Sequence, residues 1–73
     1  ITMNQHFVIQ VWINQKQTGL PSPAHLSDAI AAAAVTPPFA AAVNQVFVPK
    51  KNHATHVLQE GDHIELIVPV TGG

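Results

Sequence analysis

Apolar residues recur at every second position from Phe7 to Ile13. Phe7, Ile9, Val11 and Ile13 fall on one face of a strand, and Val8, Gln10 and Trp12 on the other. The first set is expected in a core and the second toward water or a partner. Asn14-Gln15 breaks the alternation and Lys16 to Leu20 resumes it, which predicts a hairpin, although Asn-Gln is a weaker turn signal than Asn-Gly. Leu26, Ile30 and Ala33 or Ala34 then recur at helical spacing within an alanine-rich run. Ser22 is a candidate N-cap with Pro23 in the first turn, and a start near His25 fits the pattern equally. Pro37-Pro38 stops this helix because neither residue has a backbone N–H to donate.

The pattern returns to strands after the prolines. Phe39 to Val43 and Val46 to Val48 flank an Asn44-Gln45 turn, and Pro49 ends the second of them or marks a sheet edge. Lys50 to Val57 is polar and expected to be irregular. Gly61-Asp62 signals a turn. His63 to Val68 reads as the last strand, with Ile64, Leu66 and Val68 on one face and His63, Glu65 and Ile67 on the other. One helix laid across a sheet buries both apolar faces in few residues, so the class is α+β. The first and last strands are the most apolar and belong in the centre of the sheet.

With 73 residues the chain makes one domain. A domain near this size buries only roughly 60% of its unfolded surface. It has no cysteine to staple it, and 47% hydrophobic residues make a single apolar core feasible. The lack of cysteine excludes a thiolate metal site, an iron–sulfur cluster and a cysteine nucleophile. A formal charge of −1, with only Lys16, Lys50 and Lys51 basic, does not make the footprint of a nucleic-acid binder. The longest helix-like apolar run, Ala29 to Val35, is far short of the ~20 residues a membrane span needs. No secretory signal is read, so the expected location is cytoplasmic, with no nucleic-acid and no membrane partner.

Two segments resemble the ThiS family, the sulfur carriers of thiamine biosynthesis. One is Phe39-Ala-Ala-Ala-Val-Asn-Gln-Val-Phe-Val-Pro-Lys50. The other is Leu58-Gln-Glu-Gly-Asp-His-Ile-Glu-Leu-Ile-Val-Pro-Val-Thr-Gly-Gly73. The likeness lies in an order of features: an alanine/valine strand, an asparagine turn, a Val-Pro-basic step, a Gly-Asp turn, an Ile-Glu strand and a Gly-Gly end. It is strongest from Phe39 onward. Gln15 and Gln45 stand where relatives usually have glycine, which suggests altered turn geometry, and His53 where they often have a large aromatic residue. The tail does not depart from the pattern.

The resemblance implies a ubiquitin-like β-grasp: a mixed four- to five-stranded sheet with one main helix packed across one face. Residues 1–70 would form the domain and 71–73 a flexible tail. It also implies the chemistry. An ionised α-carboxylate is a poor electrophile, and ATP activates it as an acyl-adenylate. A sulfur nucleophile then displaces AMP and leaves a thiocarboxylate on Gly73. A ThiF-type adenylating enzyme would use the ATP, a persulfide donor would supply sulfur, and a ThiG-type thiazole synthase would receive it. The carrier would bind no cofactor and have no catalytic residue of its own. Gly72 and Gly73 suit a tail that threads a narrow tunnel, because neither has a side chain. Thr71 precedes them, and Val68, Pro69 and Val70 are expected to dock the tail root on a partner.

Other residues are candidates for function. Trp12 is either ordinary core or, if exposed, part of a docking patch with Val8 and Ile67. His53, His56 and His63 invite a metal, but zinc sites need three or four positioned ligands and the segment looks irregular, so solvated histidines and no metal site are expected. Asp62 is expected to bond backbone N–H groups in its turn, and Glu60 and Glu65 to face solvent. Rival readings of the Gly-Gly end are the small subunit of molybdopterin synthase, a ubiquitin-like modifier that forms isopeptide bonds, and an interaction domain with an inert tail.

Overall fold

The computed structural model describes residues 8–70. Strand β1 (Val8–Ile13) turns at Asn14-Gln15 into β2 (Lys16–Pro21), its antiparallel partner. A two-residue strand β3 (Ala24–His25) leads into helix α1 (Leu26–Ala33). Then come β4 (Ala40–Val43) and β5 (Val46–Val48), a second antiparallel hairpin. A 3-10 turn at Lys50–Asn52, a short β6 (Val57–Leu58) and β7 (His63–Ile67) complete the described chain. The main sheet runs β2-β1-β7-β4-β5. β7 pairs parallel with β1 and antiparallel with β4. This mixed five-stranded sheet with one helix across it is a β-grasp.

Alternation decides which face the helix covers. Val11 and Ile13 of β1, Ile64 and Leu66 of β7, and Ala41 and Val43 of β4 are buried on one face. They form a single cluster with Leu26 and Ala29 of α1, and Ile9, Ile30, Ala33 and Val35 pack at its margin. The alanines on α1 and β4 let helix and sheet lie close. The two most apolar strands are adjacent and interior, as their composition predicts.

The structure corrects several details. Of the two expected helix starts the structure has the one near His25, and Ser22 does not cap the helix. His25 is the N-cap, and its N–H donates to the Asp28 carboxylate at 2.7 Å. Leu26 and Ser27 donate their N–H groups to the carbonyls of His56 and His53, both at 2.9 Å, so two of the helix's free donors are satisfied by the 50s loop. That loop is not wholly irregular. Ala24–His25 pairs with Val57–Leu58 in a separate two-stranded sheet. His53 stacks on Phe39, with ring centroids 5.9 Å apart, and donates from Nε2 to the Val48 carbonyl at 3.1 Å. The last strand ends at Ile67, and Val68, expected on the core face, is half exposed. The first strand is described from Val8, so Phe7 lies outside the described residues.

Gln15 and Gln45 do not alter the turn geometry. Asn14 and Gln15 have φ of 49° and 70°, and Asn44 and Gln45 have 50° and 71°. Positive φ at both central residues is the two-residue hairpin geometry that glycine adopts most readily. The turns keep that shape and carry its steric cost.

Candidate functional site

The Gly-Gly end is the chemical candidate, and Thr71, Gly72 and Gly73 lie outside the described residues. The structure describes what leads to them. Strand β7 occupies the middle of the sheet and carries the chain upward past the end of β1. The register matches Trp12 with His63 and Ile13 with Ile64. Glu65, Leu66 and Ile67 therefore project beyond the last β1 partner. On the other side β4 accompanies them as far as Ala40, which pairs with Ile67. After that the chain leaves the sheet through Val68, Pro69 and Val70, all exposed, with Val70 at 93%. The tail root thus stands at the molecular surface with its apolar side chains uncovered.

Two asparagine turns grip β7, one near each end. The Asn14 side chain makes two bonds to one residue: Leu66 N–H donates to Oδ1 at 2.8 Å, and Nδ2 donates to the Leu66 carbonyl at 3.2 Å. The Asn14 backbone N–H donates to the Ile64 carbonyl at 2.9 Å. At the start of β7, His63 N–H donates to Asn44 Oδ1 at 2.9 Å, and Asn44 Nδ2 donates to Asp62 Oδ1 at 3.0 Å. Asp62 also accepts from the Gln59 N–H at 2.9 Å, the local turn bond expected of it. Gly61, at φ 85°, donates its N–H to the Gln10 carbonyl at 2.7 Å, which closes the turn against β1.

The sheet face opposite the helix is the second component. Trp12 lies on it, 36% exposed, with its ring stacked on His63 at 6.0 Å between centroids. Its neighbours His63, Glu65, Gln15, Asn44 and Gln45 line a shallow cleft of about 460 Å³. Ile67 is on the same face and 57% exposed. Trp12, Val8 and Ile67 do not form one contiguous patch, however. Because β1 and β7 are parallel, Val8 and Ile67 point toward opposite ends, and Glu65 separates Ile67 from the Trp12–His63 stack. Ile67 instead sits beside Ala40, and Ala42 separates Glu65 from the exposed Phe47 of β5. Phe47 was not singled out from the sequence. Its alternation with Val48 was the available signal, since one of the two must turn outward.

Among the described residues no polar or charged side chain is buried, and no three histidine or acidic groups converge as metal ligands. Glu60 and Glu65 are exposed, and Glu60 accepts from the Gln10 N–H at 3.0 Å. No helix among the described residues is long and apolar enough to cross a membrane. The geometry offers an apolar surface and an exposed tail root at Val68 to Val70.

A family model for the ThiS family matches residues 4–73. The chain belongs to the ThiS family. Among solved structures, the chain is similar to the crystal structure of the thiamine biosynthesis protein ThiS from Geobacter metallireducens. The TM-score is 0.69 at 16% sequence identity, over 89% of this chain and 100% of that one. At that identity the likeness supports the fold. No curated protein matches this chain in sequence. The ThiS-family match runs through the asparagine turns, the Trp12 face and the tail root to Gly73.

Proposed function

We propose that the chain is a sulfur carrier for formation of the thiamine thiazole ring, with Gly73 as the reacting residue. The observation that carries this reading is the ThiS-family match, which includes Gly72 and Gly73. The central position of β7, which delivers the chain to an exposed root at Val70, supports it.

The chemistry runs in three steps. A carboxylate oxygen of Gly73 attacks the α-phosphorus of ATP in a ThiF-type adenylating enzyme, and pyrophosphate leaves. The terminal sulfur of a persulfide donor attacks the acyl carbon, and AMP leaves. A thiol then reduces the sulfur–sulfur bond of the acyl persulfide and frees the thiocarboxylate, becoming oxidised to a disulfide. A ThiG-type thiazole synthase accepts the sulfur. The carrier is a co-substrate in each step. Its contribution is to hold the end in line with the α-phosphate, which is where rate is gained. Glycine at the last two positions suits this, since no side chain obstructs the approach.

Trp12, Ile67, Val68, Pro69 and Val70 form the docking part. Their exposed apolar groups lose water on contact with a partner, and aromatic residues are enriched among those that dominate binding. The ThiS-family match favours this pathway over the molybdopterin synthase alternative. The test is incubation with ATP, the adenylating enzyme and a persulfide donor, followed by thiol-specific alkylation and mass spectrometry of the C-terminal peptide. The chain has no cysteine, so a label at Gly73 identifies the thiocarboxylate. Peptide mapping separates it from oxidation at Met3, which has nearly the same mass change. Absence of label with a proven active enzyme overturns the proposal.

A further inference from the structure

We infer that Asn14 is a positioning residue for the reactive tail: its side-chain amide stands in for a missing stretch of β1 and sets where β7 releases the chain. The inference rests on the sulfur-carrier reading above. Its basis is a mismatch of lengths. β1 ends at Ile13, opposite Ile64, while β7 continues to Ile67. A strand in the middle of a sheet needs partners for its N–H and C=O groups on both sides. On the β4 side the ladder reaches Ile67. On the β1 side the chain has already turned away at Asn14-Gln15, yet Leu66 N–H and C=O are both satisfied.

Asn14 supplies that pairing. A primary amide carries one acceptor and one donor group in a plane, the same pair a backbone peptide presents. Oδ1 accepts from Leu66 N–H at 2.8 Å and Nδ2 donates to the Leu66 carbonyl at 3.2 Å. The amide is held by its own turn, where Asn14 sits at φ 49° and its N–H bonds the Ile64 carbonyl. Aspartate lacks the donor, and leucine or valine would lack both groups. Leu66 is buried at 5% exposure, so its side chain anchors in the core while the amide fixes its backbone. The next residue, Ile67, is the last of the strand. The clamp is therefore placed one residue before the chain leaves the sheet, and the direction of Val68 to Val70 follows from it.

Asn44 is the built-in comparison. It occupies the same turn position at nearly the same φ, and its amide also grips β7. It does so at His63 and Asp62, the far end from the tail. Losing the Asn14 amide removes two hydrogen bonds from the Leu66 backbone, and losing the Asn44 amide removes one from the His63 backbone and one from the Asp62 carboxylate, but only Asn14 acts next to the tail root.

The test uses the full chain with its adenylating enzyme. Asn14→Gly and Asn44→Gly each remove the amide while keeping a residue that accepts positive φ. Asn14→Asp keeps the acceptor and the turn conformation but removes the donor. Adenylation of Gly73 is followed by pyrophosphate release across a range of carrier concentrations, with amide hydrogen exchange on the free carriers. Asn14→Gly is expected to lower kcat by roughly tenfold with KM within about twofold, because a misplaced reacting end costs rate. Asn14→Asp should lower kcat less, and Asn44→Gly should leave it within about twofold. Exchange at Leu66, Ile67 and Val68 should quicken in the Asn14 variants and not in Asn44→Gly. Equal effects of Asn14→Gly and Asn44→Gly on kcat, or a pure rise in KM, would overturn the inference while the sulfur-carrier reading stands. A wild-type chain that takes no adenylate overturns both.

Discussion

Leu26 shows how one position can serve two purposes. Its side chain is fully buried between helix and sheet, and its N–H is bonded to the His56 carbonyl. Truncation leaves a cavity in a core that has only one layer of helix to collapse into it. Leu26→Ala should therefore cost about 2–5 kcal/mol, checked by urea unfolding. A domain of this size has only about 5–15 kcal/mol to lose, so the variant should be largely unfolded at elevated temperature. Trp12 behaves differently. At 36% exposure its ring is partly covered by His63 and partly open. Trp12→Ala should leave the unfolding midpoint nearly unchanged and weaken carrier binding to the adenylating enzyme by roughly 1–2 kcal/mol, read by titration calorimetry. A large loss of stability instead would make Trp12 a core residue.

The elements carry a cost that a few substitutions can remove. Helix α1 ends on Ala34 at φ 57°, a left-handed conformation that glycine usually fills. Gln15 and Gln45 sit at φ 70° and 71° in the two hairpins. A non-glycine residue there costs about 1–2 kcal/mol, partly offset by the greater freedom of glycine in the unfolded chain. Ala34→Gly, Gln15→Gly and Gln45→Gly should each stabilise by roughly 0.5–1 kcal/mol, measured by thermal unfolding. The three sites are in separate turns and should add. Much of the element plan was legible in the sequence. The alternation in Phe7 to Ile13 and His63 to Val68, and the stop at Pro37-Pro38, located β1, β7 and the end of α1 closely. The start of α1 was not legible, because Ser22-Pro23 has the composition of a cap. What excludes it is that Ala24–His25 pairs with Val57–Leu58 before the helix begins.

In the whole molecule, the two faces of the sheet differ in what they bury. The helix-covered face holds the core, and the other face with the tail root holds the apolar groups available to a partner. Removal of Gly73 should abolish thiocarboxylate formation and leave the thermal midpoint unchanged, since β7, the last strand of the core, ends at Ile67. Mass spectrometry after the full sulfur-transfer reaction reads the first, and circular dichroism the second. Ile67→Ala should weaken binding as Trp12→Ala does. The two losses should be nearly additive, because Glu65 separates the side chains along β7. A strongly non-additive pair would show that the two residues act as one patch after all.

The legible parts share one physical property: they are local. Period-two alternation, proline stops, asparagine turns and a glycine end are each set by a few neighbouring residues, so a linear reading finds them. The α+β class followed from their order, and the β-grasp expectation from their likeness to a family. Other features depend on contacts between distant residues. Asn14 meets Leu66 across 52 positions, His63 stacks on Trp12, and the His53 and His56 carbonyls satisfy the first turn of the helix. No local pattern marks an asparagine that completes a neighbouring strand, because its two hydrogen bonds exist only once β1 stops short of β7. The chemistry expected of the tail therefore comes from a reading along the chain, while the fold settles where that chain leaves the sheet.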